Sequence, residues 1–392
     1  MKILEFGHIP YWAGGKQSSG GANAMFQIAY HLSKKDDVEV YFGATDVFEE
    51  KRKCGKLIIY GWTKWTLIKF CIFNITSALR SLKYSMHLKK TVPDPASFSK
   101  QFFKCLFHVY LVEKIKPDVI HLHNNPEFYV DLLYKYAKIV VTVHGVFGND
   151  ENVEYHDICR IHEQMLVSNP SIALTTFVTS DVLKNCIELY GPIQSKSVVI
   201  LNAYDSSSFY YKPKNNTNVP SICTIASVCE RKGQERVLKG IIISGVKCNY
   251  LCVGSGTEKG IECIKKLAND NNVDFKYLGK KTPDEIREIL VQCDYMILPS
   301  SSEGFGLVYL EAMACGTPVI LPKDLPIVKE DGIISTSNAV LLEDCSEQSI
   351  AKALPLAFNM KFDRKAVAES MADYSWDKIT DQYLSEMRKL TS

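Results

Sequence analysis

No stretch of this sequence reaches 18 uninterrupted apolar residues, so no transmembrane helix is expected. The apolar run in the opening MKILEFGHIP is too short for a signal peptide and reads as a strand. No CxxC pair occurs among the 13 scattered cysteines. An odd, unpaired set argues against a disulfide framework and fits a reducing cytoplasm. Most of these thiols read as small core residues. Charge of one sign is also missing: 46 Lys and Arg against 44 Asp and Glu leave +2, with no global pull toward nucleic acid. What remains is ordinary globular material, 46% apolar and 23% charged. At roughly 100–200 residues per domain, 392 residues make two or three domains. Strand and helix signals alternate along the chain, which points to an α/β protein.

One stretch organises the rest: PSSSEGFGLVYLEAMACGTPVILP, Pro299 to Pro322. Tyr295 to Leu298 reads as a buried strand ending at Pro299. A loop of small residues carries Glu303, Gly304, Phe305 and Gly306. Leu307 to Cys315 reads as a helix stopped by Gly316 and Pro318, and Pro318 to Leu321 as a second strand. Strand, loop, helix, strand is the unit of a parallel sheet that binds ligands at its carboxyl edge. A glycine-flanked loop opening a helix aims free backbone N–H groups along a positive dipole and suits phosphate. Glu311, five residues after Gly306, stands about 7.5 Å further along the helix. Its carboxylate could take two ribose hydroxyls while the loop amides hold phosphates. Glu303 lies beyond the phosphates, where a sugar would project. The plain alternative is a capped helix with a solvated Glu at each end.

The block EGFGLVYLEAMACGTPVI resembles the retaining GT-B glycosyltransferases of the glycogen-synthase-like and mannosyltransferase-like group (glycosyl transferases group 1, family 4 type). Its two acids with seven residues between them, its glycines and its GTPV strand coincide with that pattern. The resemblance implies two doubly wound Rossmann-like domains facing a central cleft. It also implies that Glu303 approaches the donor sugar, helped by the amides of Phe305 and Gly306, and that Glu311 binds ribose. Gly304 and Leu307 complete the donor loop.

Further matches extend over nearly the whole chain, most closely from 222 to 345 and least from 45 to 115. Lys2 to Phe6 is a first strand. A Gly- and Ser-rich loop, 14–21, follows it, and then a helix from Ala22 to Ser33. Glycines there let backbone approach a phosphate, and Gly20 and Gly21 match the family's pair facing the donor diphosphate or acceptor. The strand containing His121 and His123 places both on one side. Two His at i, i+2 could hold a metal, but no third ligand with clear spacing follows; lining a cleft or pairing with backbone are the alternatives. His144 ends the strand Ile139 to Val143, where ligands bind in parallel sheets. The resemblance places it near the donor sugar, with a structural His as the alternative. Asn202 and Asp205 match the family's crossing between domains, with Ala203 in place of a glycine. The polar segment 206–220 reads as a linker.

In the second half, Lys232-Gly233 matches the motif whose lysine neutralises the donor diphosphate. Fixed cations stabilise a departing nucleoside diphosphate. The family's second cation, an arginine five residues earlier, is here Ser227, and Arg231 is the candidate substitute. Gly254 opens the Gly-x-Gly turn after the strand Tyr250 to Val253. The domains expected are 1–205 plus a C-terminal helix 374–392, and 221–373.

Residues 51 to 116 differ in character, with fourteen Lys or Arg against two acids, Asp94 and Glu113, among interleaved aromatics such as Trp62, Trp65, Phe70 and Phe73. Such a region suits an anionic membrane surface. Solvated surface helices are the alternative, and no nucleic-acid readout motif accompanies it.

The expected function is transfer of a sugar from a nucleotide donor, UDP favoured over GDP, to a hydroxyl acceptor with retained configuration. Glu303, His144 and Lys232 would be the catalytic residues. Glu311, Arg231, Gly304, Phe305, Gly306, Leu307, Gly20, Gly21, Ser227 and Gly254 would bind the donor. No DxD pair sits beside these motifs and the cations can replace a metal, so no metal or other cofactor is expected. The acceptor is expected to be a lipid-linked or surface-polysaccharide glycan. The protein is expected in the cytoplasm or at the inner membrane face, without nucleic acid as partner. A non-catalytic nucleotide- or glycan-binding protein is the second reading. A glycosidase using two carboxylates about 5–10 Å apart is the third.

Overall fold

The computed structural model describes residues 1–17, 19–44, 47, 49–91, 97–123, 127–148, 156–215 and 218–392. Ser18, Asp94 and Asn216, which belong to segments discussed above, lie outside the described residues. The chain divides into two compact units, Met1–Leu201 with Asp377–Ser392, and Asn202–Trp376.

The strands of the first unit are β1 (Lys2–Gly7), β2 (Glu39–Ala44), β3 (Arg52–Cys54), β4 (Leu57–Tyr60), β5 (Val119–His123), β6 (Lys138–Val143), β7 (Ile172–Phe177) and β8 (Lys196–Val199). They form one sheet in the order β3-β4-β2-β1-β5-β6-β7-β8. All pairings are parallel except the β3–β4 hairpin. The chain winds outward from β1 through β2, then returns to β5 on the other side. The reversal between β1 and β5 makes a topological switch point, and a doubly wound sheet binds ligands beside its carboxyl ends there.

Helices α1 (Gly20–Lys34), α2 (Lys64–Phe73), α3 (Ile75–Thr91), α4 (Phe98–Ile115), α5 (Glu127–Leu133), α6 (His156–Ser168) and α7 (Ser180–Tyr190) connect these strands. The buried stripe of α1 holds Met25, Ile28, Ala29 and Leu32, at the spacing of one helical face. Ser19 caps this helix, its Oγ accepting from the Ala22 N–H at 3.2 Å.

The basic segment 51–116 resolves into parts with different roles. β3 and β4 form a sheet edge. Helix α4 is core: Cys105, Leu106, Phe107, Val109, Leu111 and Val112 are buried. Only α2 and α3 carry the surface character expected for the whole region. Their pattern is inverted. The buried side of α3 is Ser77, Ser81, Ser85 and Leu88. The Ser81 and Ser85 hydroxyls bond the carbonyls of Ser77 and Ser81, at 2.9 and 2.7 Å. The exposed side carries Ile75, Leu79, Leu82 and Met86, and α2 exposes Trp65, Ile68, Ile72 and Phe73.

In the second unit, β9 (Ser221–Ile225), β10 (Asn249–Val253), β11 (Asp274–Gly279), β12 (Tyr295–Ile297), β13 (Val319–Pro322) and β14 (Ala339–Leu342) form a wholly parallel sheet, β11-β10-β9-β12-β13-β14. Its switch point lies between β9 and β12. The helices are α8 (Gln234–Ser244), α9 (Glu258–Asp270), α10 (Pro283–Gln292), α11 (Leu307–Ala314), α12 (Pro326–Lys329), α13 (Glu347–Asn359) and α14 (Arg364–Glu369). One core cluster joins Ile222, Tyr250, Ile297, Ile320 and Leu354. Pro283 and a reciprocal Thr282–Glu285 capping box fix the start of α10.

The last helix, α15 (Trp376–Thr391), begins in the second unit, and from Asp377 it counts with the first. There Asp377 accepts from His31 Nδ1 at 2.8 Å, Asp381 pairs with Lys35 at 2.7 Å and Glu386 with Lys196 at 2.5 Å.

One boundary differs from the sequence reading. The stretch read as a linker, 206–220, belongs to the second unit. Phe209 is buried. The Ser208 carbonyl accepts from Arg287 at 2.9 Å. Lys212 pairs with Glu288 at 2.7 Å and Lys214 with Asp294 at 2.9 Å. Ion pairs hold this segment to α10 and its strand, so its polar composition imitates a free connection.

Candidate functional site

The second unit builds a charged cluster at its switch point. After β9 the chain reaches a 3-10 turn, Glu230–Lys232, ended by Gly233 at φ +77°. A Cβ on Gly233 would stand 2.9 Å from the Pro299 carbonyl oxygen, so glycine lets this turn close against the end of β12. Two further bonds tie the loops together: Ser301 N–H donates to the Arg231 carbonyl at 2.9 Å, and Arg231 Nη1 donates to the Ser302 carbonyl at 2.7 Å. The result sets Lys232 Nζ directly on Glu303 Oε1, with Arg231 Nη1 4.0 Å from Glu303 Oε2. Both partners are largely buried, the Lys232 side chain 15% and Glu303 10% exposed. Two cations against one carboxylate leave a net positive charge in a partly desolvated place, where Coulomb attraction is stronger than in bulk water.

Helix α11 starts beside this cluster. Gly306, at φ +92°, is its N-cap and offers no side-chain cap. A Cβ at Gly306 would stand 2.6 Å from the Tyr309 ring. Tyr309 is fully buried and its hydroxyl donates to the Leu298 carbonyl at 2.8 Å, which anchors the helix to the end of β12. Phe305 and Leu307 are both buried, so their side chains hold the loop against the unit's core. Glu311 is on the same helix, only 8% exposed. Burial, reinforced by the Asp205 charge, pushes its carboxyl up to about 8.

Gly254 has a structural reason of its own. At φ +143°, a Cβ there would stand 2.0 Å from the Ala226 carbonyl oxygen. The glycine lets the β10 turn crowd the loop after β9. Ser227 is exposed on that loop, its Oγ 3.3 Å from Ser255 Oγ. Arg231 lies in the same turn as Lys232, and its guanidinium faces Glu303.

A second group lies at the switch point of the first unit. Strand register sets Glu5 of β1 beside His121 of β5, and His123 beside Thr142 of β6. Glu5, His121 and His123 are all buried. His121 Nδ1 is 3.0 Å from Glu5 Oε1, and His123 Nε2 is 2.7 Å from Glu5 Oε2. His121 Nε2 meets the Thr142 hydroxyl at 2.6 Å, and Thr142 meets Thr176 at 2.7 Å. His123 Nδ1 is 3.2 Å from Nε2 of His144, just beyond β6. Burial opposes ionisation of Glu5, but the two imidazoles more than offset it and hold the carboxyl down to about 2. Burial, with His121 beside it, lowers His123 to about 4. His144 is lowered well below the usual imidazole range, again chiefly by burial.

Spacing along the chain shows no third partner for His121 and His123. Glu5 is that partner, 116 residues away in the chain from His121. Among the described residues, these three alone form a group whose spacing a metal ion could use. Here their polar atoms meet at hydrogen-bond distances. The available signal is one acid inside the otherwise apolar ILEFG, at an inward position of a central strand.

The structure thus brings together Lys232, Arg231, Glu303 and the α11 loop with Gly304, Phe305, Gly306 and Leu307. It sets Glu311 further along the same helix. Ser227 and Gly254 flank the loop after β9. His144, Gly20 and Gly21 belong to the first unit, with Gly20 and Gly21 opening α1.

The profile of the glycosyl transferases group 1 matches residues 209–373. An N,N'-diacetylbacillosaminyl-diphospho-undecaprenol alpha-1,3-N-acetylgalactosaminyltransferase of Campylobacter jejuni is 23% identical over 299 residues, covering 74% of this chain and 73% of the relative. Among solved structures, sucrose-phosphate synthase from Thermosynechococcus elongatus superposes with a TM-score of 0.75 at 15% identity, covering 99% of this chain and 98% of the other. Anabaena HepE in complex with UDP and glucose gives 0.69 at 14% identity, with both chains fully covered. With two doubly wound parallel-sheet units and the domain of the glycosyl transferases group 1 over residues 209–373, the chain has the GT-B fold and is a glycosyltransferase that uses a sugar-nucleotide donor.

Proposed function

We propose that this protein is a retaining glycosyltransferase that needs no metal and builds a lipid-linked or surface glycan at a membrane face, using a UDP-sugar in preference to a GDP-sugar. The observation that carries the reading is the cluster of Lys232, Arg231 and Glu303 at the start of α11. Two fixed cations beside uncapped backbone N–H groups form a place for a diphosphate, and their charge supplies what a divalent ion would otherwise supply. A diphosphate that leaves gathers negative charge, which Lys232 and Arg231 stabilise more strongly than the ground state. Glu303, held on the lysine, orients the sugar. Glu311 takes the ribose hydroxyls, and His144 contacts a sugar hydroxyl. Preference for uridine follows only the UDP bound by HepE.

A thermal-shift panel of UDP, GDP, ADP and their common sugars, with and without EDTA, tests the donor half. Specific binding stabilises the native state by mass action, by about 2.7 kcal/mol at a hundred times Kd. One nucleotide class should shift Tm, equally with EDTA present. A shift abolished by EDTA would overturn metal independence, and no shift from any nucleotide would favour a non-catalytic binding protein. The anomeric configuration of the product, read by NMR, tests retention.

The membrane half rests on α2 and α3. The apolar residues Trp65, Ile72, Phe73, Ile75 and Leu79 point outward while serines point inward, the reverse of a helix made for water. Lys64, Lys69, Arg80, Lys83, Lys89 and Lys90 are exposed on the same two helices. An in-plane helix with apolar residues and flanking cations suits an anionic bilayer, at about 1 kcal/mol per near-surface cation. No helix among the described residues is long and apolar enough to cross a membrane. The Campylobacter relative's name includes a diphospho-undecaprenol, a lipid-linked acceptor. Flotation should recover the protein with anionic vesicles at low salt, and Trp65→Asp with Phe73→Asp should release it. Absence of binding at low salt would remove this part.

A further inference from the structure

Hydrogen-bond direction can be traced from Glu5 outward. An ionised carboxylate only accepts, so the ring nitrogens facing Glu5 must both donate. His121 therefore carries its proton on Nδ1 and His123 on Nε2. A neutral imidazole has one proton, so His123 Nδ1 is an acceptor, and the nitrogen facing it, His144 Nε2, must donate. His144 Nδ1 is then a bare lone pair. It is buried and has no hydrogen-bond partner among the described residues. A buried polar atom without a partner is uncommon and calls for a reason. The other arm of the network ends differently, because His121 Nε2 meets the Thr142 hydroxyl, which is itself bonded to Thr176.

We propose that Glu5 is a positioning residue which, through His123, fixes His144 in one tautomer with Nδ1 presented as an acceptor for a sugar hydroxyl. This rests on the reading of His144 as a sugar contact. The ligand hydroxyl donates its proton toward Nδ1, completing a chain from ligand to His144, His123 and Glu5. Depressed imidazole affinities keep both rings neutral near pH 7, so the direction holds there. A glutamate inside β1 is thereby explained: it gives the network a fixed sign at one end, which a neutral side chain, able to donate or accept, would not.

The test is long-range proton–nitrogen correlation NMR on protein labelled with 15N-histidine, His144 being assigned from the spectrum of His144→Asn. Wild type should show His144 protonated on Nε2 and bare on Nδ1. Glu5→Gln should mix or reverse the tautomer. It should also lower kcat about 10- to 100-fold, by analogy with the loss when a carboxylate that orients a metal-bound imidazole is removed. Donor KM should change little, because Lys232, Arg231 and the α11 loop, which hold the diphosphate in the proposed reading, are left intact. A proton on Nδ1 of His144 in wild type would overturn the proposal without any variant having to fold. Full activity of His144→Asn would overturn the underlying reading. Loss of activity in His144→Asn with an unchanged tautomer and kcat in Glu5→Gln would overturn the relay alone.

Discussion

Lys232→Ala should lower kcat by about 10²- to 10³-fold, the range for removing one fixed group that stabilises developing negative charge. The lysine does two things at once. It sits on Glu303 in a place where both are largely buried, and it faces the leaving diphosphate in the proposed reaction. Its removal leaves Glu303 with only Arg231, 4.0 Å away, as a nearby cation. Glu303→Ala should show a comparable fall in kcat by releasing the sugar's orientation. The double variant should lose much less than the product of the two, since groups in direct contact are not independent. Initial rates from nucleotide release measure all three. Full kcat with an undiminished donor KM in Glu303→Ala would remove both roles from this pair.

Glu311 has the second large effect, and its two consequences run in opposite directions. The carboxyl titrates near 8, against an ordinary 4.5. The folded state therefore holds a proton that the unfolded chain has lost, so stability falls as pH rises through this window and levels off above about 8. The loss amounts to a few kcal/mol, at about 1.4 kcal/mol for each tenfold difference in proton affinity between the folded and unfolded chain. Glu311→Gln keeps the shape without the charge. Its Tm should exceed that of wild type by about 5 °C or more at pH 8.5, and the gap should close toward pH 4.5. At pH 8.5, where the carboxyl is ionised and both of its oxygens accept, the same variant should lose the Tm rise produced by the nucleotide, because an amide has one acceptor oxygen for the two ribose hydroxyls. A Glu311→Gln protein that is no more stable at pH 8.5, or that still responds fully to nucleotide, would contradict the respective half. A residue that costs stability and is needed for binding is the expected trade at a functional site.

Some of this is legible in the sequence because it depends on near neighbours. The run from Tyr295 to Pro322 shows its strand, loop, helix and strand through apolar runs, glycines and proline, and the structure has β12, α11 and β13 there. Gly306 and Gly316 are readable as punctuation, and both adopt positive φ. Segment 206–220 reads wrongly as a linker because its attachments, Lys212 to Glu288 and Lys214 to Asp294, reach 76 and 80 positions along the chain. In 51–116 the composition is visible, yet which helix becomes core is not. Charge and aromatic content alike describe α4, which is buried on one side, and α2 and α3, which turn apolar residues outward.

By itself, then, the sequence determined the class and the local motifs: an alternating α/β chain, the acid pair Glu303 and Glu311, the Lys232-Gly233 turn and a His at the end of β6. Periodicity, turn chemistry and spacing are short-range properties, and a linear string of residues carries them. Tertiary structure alone decided which distant groups meet. The 71 positions between Lys232 and Glu303, and the 116 between Glu5 and His121, are closed by parallel pairing across a switch point. Burial at those meetings, absent from any composition, moves Glu311 up, and the facing imidazoles of His121 and His123 hold Glu5 down. The same two carboxyl groups would titrate alike in an unfolded chain; desolvation with or without hydrogen-bonding imidazole partners separates them.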